Sequence, residues 1–122
     1  MIYLEKGEIN TFVLTLSESA TITTPFWLFV FENEFNTESQ PIYWAGVDTS
    51  PYTYRYNLFT LIEGNPQIVQ SAISLIIGQY TYKVYESSDP IRIDENTNAN
   101  GLNLIEEGRM VVNGNAPSSI YD

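Results

Sequence analysis

The chain contains no cysteine and no histidine. That absence removes thiol nucleophiles, Ser-His-Asp triads, thiolate metal sites and a histidine pH switch in one step. A cysteine-free chain is also consistent with folding in a reducing cytoplasm. Basic residues are scarce, with 5 lysines and arginines against 15 acids and a net charge of −10. Phosphate backbones and anionic membrane surfaces are repelled by that balance, so neither nucleic acid nor membrane is expected as a partner. No apolar stretch approaches the roughly 20 residues that span a bilayer. The longest, Pro25 to Phe31, has the length of a strand. Met1 to Gly7 shows no basic region ahead of an apolar run, so no Sec-type signal peptide is readable.

Aromatic side chains are abundant by contrast: nine tyrosines, six phenylalanines and two tryptophans in 122 residues. Such rings favour strands, and tyrosine serves interfaces well because it joins an apolar body to a polar tip. The length suits one domain with a core that needs no disulfide. We expect that domain over residues 1–113, followed by a short tail over 114–122.

Period-two patterns organise the chain. Gly78 to Glu86 reads as a strand entered through a glycine corner. Tyr80, Tyr82 and Val84 lie on one side, and Thr81, Lys83 and Tyr85 on the other. Gly78 followed by Tyr80 is how the sixth strand of many immunoglobulin-like sandwiches begins, with the ring in the core and its hydroxyl tied to nearby backbone. Ile2-Tyr3-Leu4 is a short first strand, turned at Glu5 to Glu8. Thr11 to Leu16 alternates with Phe12, Leu14 and Leu16 inward. Thr21 to Thr24 is polar but β-prone. Phe26 to Phe31 is apolar on both faces, so it is either covered twice or offers Trp27, Phe29 and Phe31 to a partner. Pro41 restricts Ile42 to Val47 to a sheet edge. Tyr54 to Ile62 is the fifth strand, closed by the turn Glu63 to Pro66. Gln67 to Ile77 is a short strand or an irregular turn. Leu102 to Val112 is the last strand, with a bulge expected near Gly108. Seven short strands with turns about every ten residues predict an all-β, antiparallel immunoglobulin-like sandwich.

Few segments could carry chemistry. Asp94 to Gly101 offers oxygen side chains at alternate positions, but Ala99 and Ile105 stand where a calcium loop needs glycine and glutamate, so a polar hairpin loop is the better reading. Glu32, Glu34 and Glu38 lie beside aromatic strands, which invites comparison with a glycosidase carboxylate pair, yet one loop gives no reason to place two across a cleft. Arg55 and Lys83 are placed to pair with acids on neighbouring strands. Trp27, Trp44 and several tyrosines could form a sugar-stacking platform, or simply fill the core. No phosphate loop is present. No catalytic residue, cofactor or metal site is expected.

Five strings together resemble a small virion-protein family of crAss-like tailed bacteriophages that infect Bacteroidetes. They are Asn10 to Leu16, Phe29-Val30-Phe31, Arg55 to Thr60, Gly78 to Glu86 and Gly101 to Val112. The resemblance implies a non-catalytic auxiliary (decoration or cement) protein on the capsid exterior, assembled in the host cytoplasm. Its implied partners are the major capsid protein, other virion proteins or a head-fibre protein. On this reading Trp27, Phe29, Phe31, Tyr43 and Tyr85 form the interface, and Gly78 and Tyr80 form the structural corner. A carbohydrate-binding sandwich recognising surface glycans, a tail, collar or fibre-anchoring role, and a small carboxylate hydrolase are the alternatives.

Overall fold

The computed structural model describes residues 1–22, 25–35, 40–52, 55–64, 73–91, 93 and 97–114. These residues form seven strands and no helix: β1 (Ile2–Glu5), β2 (Ile9–Leu14), β3 (Phe26–Asn33), β4 (Ile42–Gly46), β5 (Asn57–Ile62), β6 (Gly78–Ser87) and β7 (Asn103–Asn113). Five strands build a main sheet in the order β1-β7-β6-β3-β4, and β2 pairs with β5 in a separate ribbon. The tail over 115–122 and the calcium-loop residues Asp94, Glu95 and Asn96 lie outside the described residues, as do Glu38 and 67–72.

The main sheet is mixed, which corrects the expectation of a wholly antiparallel fold. β1 runs parallel to β7, with Ile2 opposite Met110 and Glu5 opposite Asn113. The other pairings are antiparallel. The physical reason lies in the turn after β1, where Gly7 takes φ 81°. That turn carries the chain from the main sheet to the ribbon instead of folding it back as a hairpin. The edge of β7 is then left for β1, and the chain between them acts as the long crossover that parallel strands need.

The core lies between the sheets. Phe12 and Phe59 from the ribbon meet Phe29 of β3, with ring centroids 5.9 and 4.9 Å apart. Trp44 of β4 closes on Phe29 at 4.9 Å. Edge-to-face geometry of this kind suits the charge distribution of aromatic rings. Ile2, Leu4, Tyr80, Tyr82, Val84, Met110 and Val112 extend the same cluster across the sheet. Two glycines are required by close approach. A Cβ on Gly46 would stand 2.6 Å from the Phe29 ring, and one on Gly108 would stand 2.8 Å from the Tyr82 ring.

Several boundaries move for identifiable reasons. β5 begins at Asn57, because the Tyr52 carbonyl accepts the N–H groups of Arg55 (2.8 Å) and Tyr56 (3.1 Å); the expected start, Tyr54, lies outside the described residues. β2 stops at Leu14, since the Leu16 N–H turns to Asn57 Oδ1 at 2.7 Å. Thr21 and Ile22 are not in a strand; both give their N–H groups to Glu86. The β7 bulge sits at Ile105, not near Gly108. Val84 faces Glu106 and Tyr85 faces Leu104, so Ile105 is the extra residue. Gly108 keeps its register opposite Tyr82 and serves to admit that ring.

Candidate docking surface

The main sheet has an inner face against the ribbon and an outer face away from it. Alternation along β3 places Phe26, Leu28, Val30 and Glu32 on the outer face. Register then puts Ala45 and Tyr85 beside Leu28, and Tyr43 and Lys83 beside Val30. Tyr85 is opposite Leu104 on β7. Leu28 and Val30 are shielded, at 1% and 5% exposure, whereas Tyr43 and Tyr85 are half-buried and Phe26 and Leu104 are exposed. One end of this face is therefore an apolar floor rimmed by aromatic and aliphatic side chains.

Charge crosses the middle of the same face. Lys83 Nζ on β6 stands 3.6 Å from Glu32 on β3 and 3.9 Å from Glu107 on β7. Arg109 Nε is 3.7 Å from Glu34 Oε1, which also accepts the Thr81 hydroxyl at 3.2 Å. Exposed pairs of this kind contribute about 0–1 kcal/mol each. Their larger effect is to pair the cations of β6 and β7 with acids, so the face presents little net positive charge. Arg55 makes no ion pair among the described residues.

The structure encloses three of the five side chains expected to dock a partner. Trp27, Phe29 and Phe31 are 3%, 0% and 1% exposed. They fill the core because β3 lies between β6 and β4 and the ribbon covers its inner face. That correction removes them as an interface and leaves Tyr43 and Tyr85 on the open side. Trp44 is buried too, so neither tryptophan offers a sugar platform. Six consecutive apolar residues gave no alternation from which to assign the inner face; only the cross-strand partners do so. At the corner, Tyr80 enters the core and its hydroxyl donates to the Ile76 carbonyl at 2.7 Å. Gly78, with φ 152°, precedes it.

The carboxylates do not converge in a described cleft. Glu32 and Glu34 are held by Lys83, Thr81 and Arg109 on the outer face. Depressions lined by Phe31, Asn33, Gln40, Ile42, Ile76 and Tyr80, by Ser17, Ala20, Thr21, Ile22 and Pro25, and by Met1, Gln79 and Arg109 to Val111 have no acid in their lining. Among the described residues no cluster of three acids forms a metal site. In the 97–102 loop, Asn98 Oδ1 accepts the Asn100 N–H at 2.9 Å, and Gly101 takes φ 80°. No described helix is long and apolar enough to cross a membrane.

Buried polar residues were not legible in the sequence. Glu86 is almost wholly enclosed, accepting from the Thr21 N–H (2.9 Å), the Ile22 N–H (3.1 Å), the Asn103 amide (3.0 Å) and the Thr21 hydroxyl. Burial pushes its pKa up, but those donors outweigh burial and hold the carboxyl below its ordinary range. Glu63 is handled alike. Burial raises it, and the Leu75 and Gly7 N–H groups with Lys6 Nζ draw it below the usual value. Tyr82 moves the other way: burial and its hydrogen bond to Glu106 push the phenol up. No periodicity marks the two carboxylates as buried acceptors, because each is defined by donors from distant segments. Among the described residues every buried side-chain nitrogen and oxygen has a partner.

No protein-family model, curated protein or solved structure matches this chain.

Proposed function

We propose that this chain is a non-catalytic structural protein of a tailed-bacteriophage virion, an auxiliary protein bound to the capsid exterior. The observation that carries this reading is the outer face of the main sheet, where Tyr43, Tyr85, Phe26 and Leu104 surround the shielded Leu28 and Val30. An apolar centre with an aromatic rim and a charged border has the anatomy of a protein interface. The resemblance to crAss-like phage virion proteins supplies the partner class, a major capsid or head-fibre protein.

An immunoglobulin-like sandwich is the architecture that goes with this reading. Three features support it: the strand order β1-β7-β6-β3-β4 over a β2–β5 ribbon, the parallel β1–β7 pair, and the Tyr80 hydroxyl bonded four residues upstream. The acidic surface suits an exterior position better than one facing packaged DNA.

Co-sedimentation of the purified chain with emptied phage shells tests the function. The chain should pellet with the shells, and Tyr43→Glu with Tyr85→Glu should weaken binding at least about tenfold, as loss of an aromatic anchor does. Recovery in the supernatant alone, together with capture by glycans that depends on the same two rings, would replace this reading with a carbohydrate-binding one. Electron microscopy of intact particles separates a capsid position from a tail, collar or fibre anchor.

A further inference from the structure

The ribbon has two long edges, and the fold treats them differently. Along β5 the edge is capped at its two ends, at Leu58 and at Ile62. Leu58 donates its N–H to Asp48 Oδ1 at 3.0 Å and accepts from the Thr49 N–H at 2.9 Å. Ile62 accepts from the Ile73 N–H at 2.9 Å. Since Leu58 and Ile62 point their backbone groups away from β2, so must the residues facing them in an antiparallel ladder. Those residues are Val13 and Ile9, and by the same alternation Thr11, which faces Thr60. Among the described residues nothing pairs with the backbone groups of Ile9, Thr11 and Val13 on that side.

This open row carries none of the devices that protect sheet edges. β2 has no charge, proline, glycine or bulge, and the charge-free stretch runs from Ile9 to Ser17. Ile9 and Val13 project from the ribbon at 69% and 55% exposure. An extended strand complements such a row of open backbone groups along its whole length. β2 itself is such a strand, and its sequence is self-complementary. Antiparallel pairing centred on Thr11 sets Thr11 opposite the partner's Thr11 and Ile9 opposite the partner's Val13. On the exposed face of β2 apolar residues then meet apolar ones, and hydroxyl meets hydroxyl. Glu8, the nearest charge, falls opposite the partner's Leu14, so no like charges face each other.

We propose that two copies of this chain join through β2, antiparallel and centred on Thr11, merging their ribbons into one four-stranded sheet. The junction lies across the core from Tyr43 and Tyr85, so it stands independently of the capsid-docking face.

Analytical ultracentrifugation over a concentration series tests this, with Thr11→Pro as the main variant. Proline at Thr11 deletes an N–H that points to the open edge and spares the ladder to β5. The chain should dimerise, and Thr11→Pro should raise the dissociation constant at least tenfold with its melting transition retained. A monomer at every concentration, or a folded Thr11→Pro dimer of unchanged affinity, overturns the proposal. The natural chain lacks cysteine, so a single thiol also reports the contact. Thr11→Cys should be trapped as a disulfide dimer under mild oxidation, and Arg109→Cys, exposed on the opposite face, should not. If Thr11→Pro fails to fold, this pair decides: equal trapping at both positions overturns the proposal, and selective trapping at Thr11 sustains it.

Discussion

Tyr80 stands at the start of β6 with its ring in the core and its hydroxyl on the Ile76 carbonyl, 2.7 Å away. The ring and the hydroxyl separate cleanly by mutation. Tyr80→Phe keeps the packing and leaves one carbonyl without its donor, so urea denaturation should show a loss of about 1 kcal/mol. Tyr80→Ala removes the ring as well and should cost about 3–5 kcal/mol. Glycines behave in the opposite sense. At Gly46 an added methyl would stand 2.6 Å from Phe29, and at Gly108 one would stand 2.8 Å from Tyr82. Gly46→Ala should therefore destabilise by about 1–3 kcal/mol, the usual cost of overpacking. Equal or greater stability in Gly46→Ala would mean that the Phe29 ring relaxes freely.

At the scale of elements, strands joined by alternation were legible and their edges were not. β6 could be read directly, because Tyr80, Tyr82 and Val84 alternate with Thr81, Lys83 and Tyr85, and the structure buries the first set. Pro41 correctly marked β4 as an edge strand. β3 could be located but its faces could not be assigned, and the expected docking residues Trp27, Phe29 and Phe31 went inside for that reason. The parallel β1–β7 pair and the Glu86 clamp depend on contacts between chain ends and loops, which leave no local period to read. The clamp has a measurable role. Glu86 joins Thr21 and Ile22 to β6 and to Asn103 of β7, so Glu86→Gln should lose about 1–3 kcal/mol. Hydrogen exchange should quicken at Thr21 and Ile22 while the centre of β6 stays protected.

The whole molecule should be acid-sensitive despite having no histidine. Glu63 and Glu86 both titrate below their ordinary value of 4.5 when folded. The unfolded chain then binds more protons than the folded one wherever these groups titrate. Their stabilisation is complete above the ordinary value and is lost as pH falls through the depressed folded values. Melting temperature should thus drop below about pH 4.5, and Glu86→Gln should flatten that drop relative to the unaltered chain. A profile unchanged by Glu86→Gln would assign the acid response to the other carboxylates.

The parallel β1–β7 pair also decides how the molecule bears load. Force entering at Ile2 and leaving at Asn113 pulls the two strands along their length in opposite directions, across the four paired positions from Ile2–Met110 to Glu5–Asn113. Every rung of that ladder is strained together instead of peeling one by one as in a hairpin. A chain built this way resists stretching through its ends best where the first and last strands lie side by side, and a pull applied across β6 and β7 would unzip it far more easily.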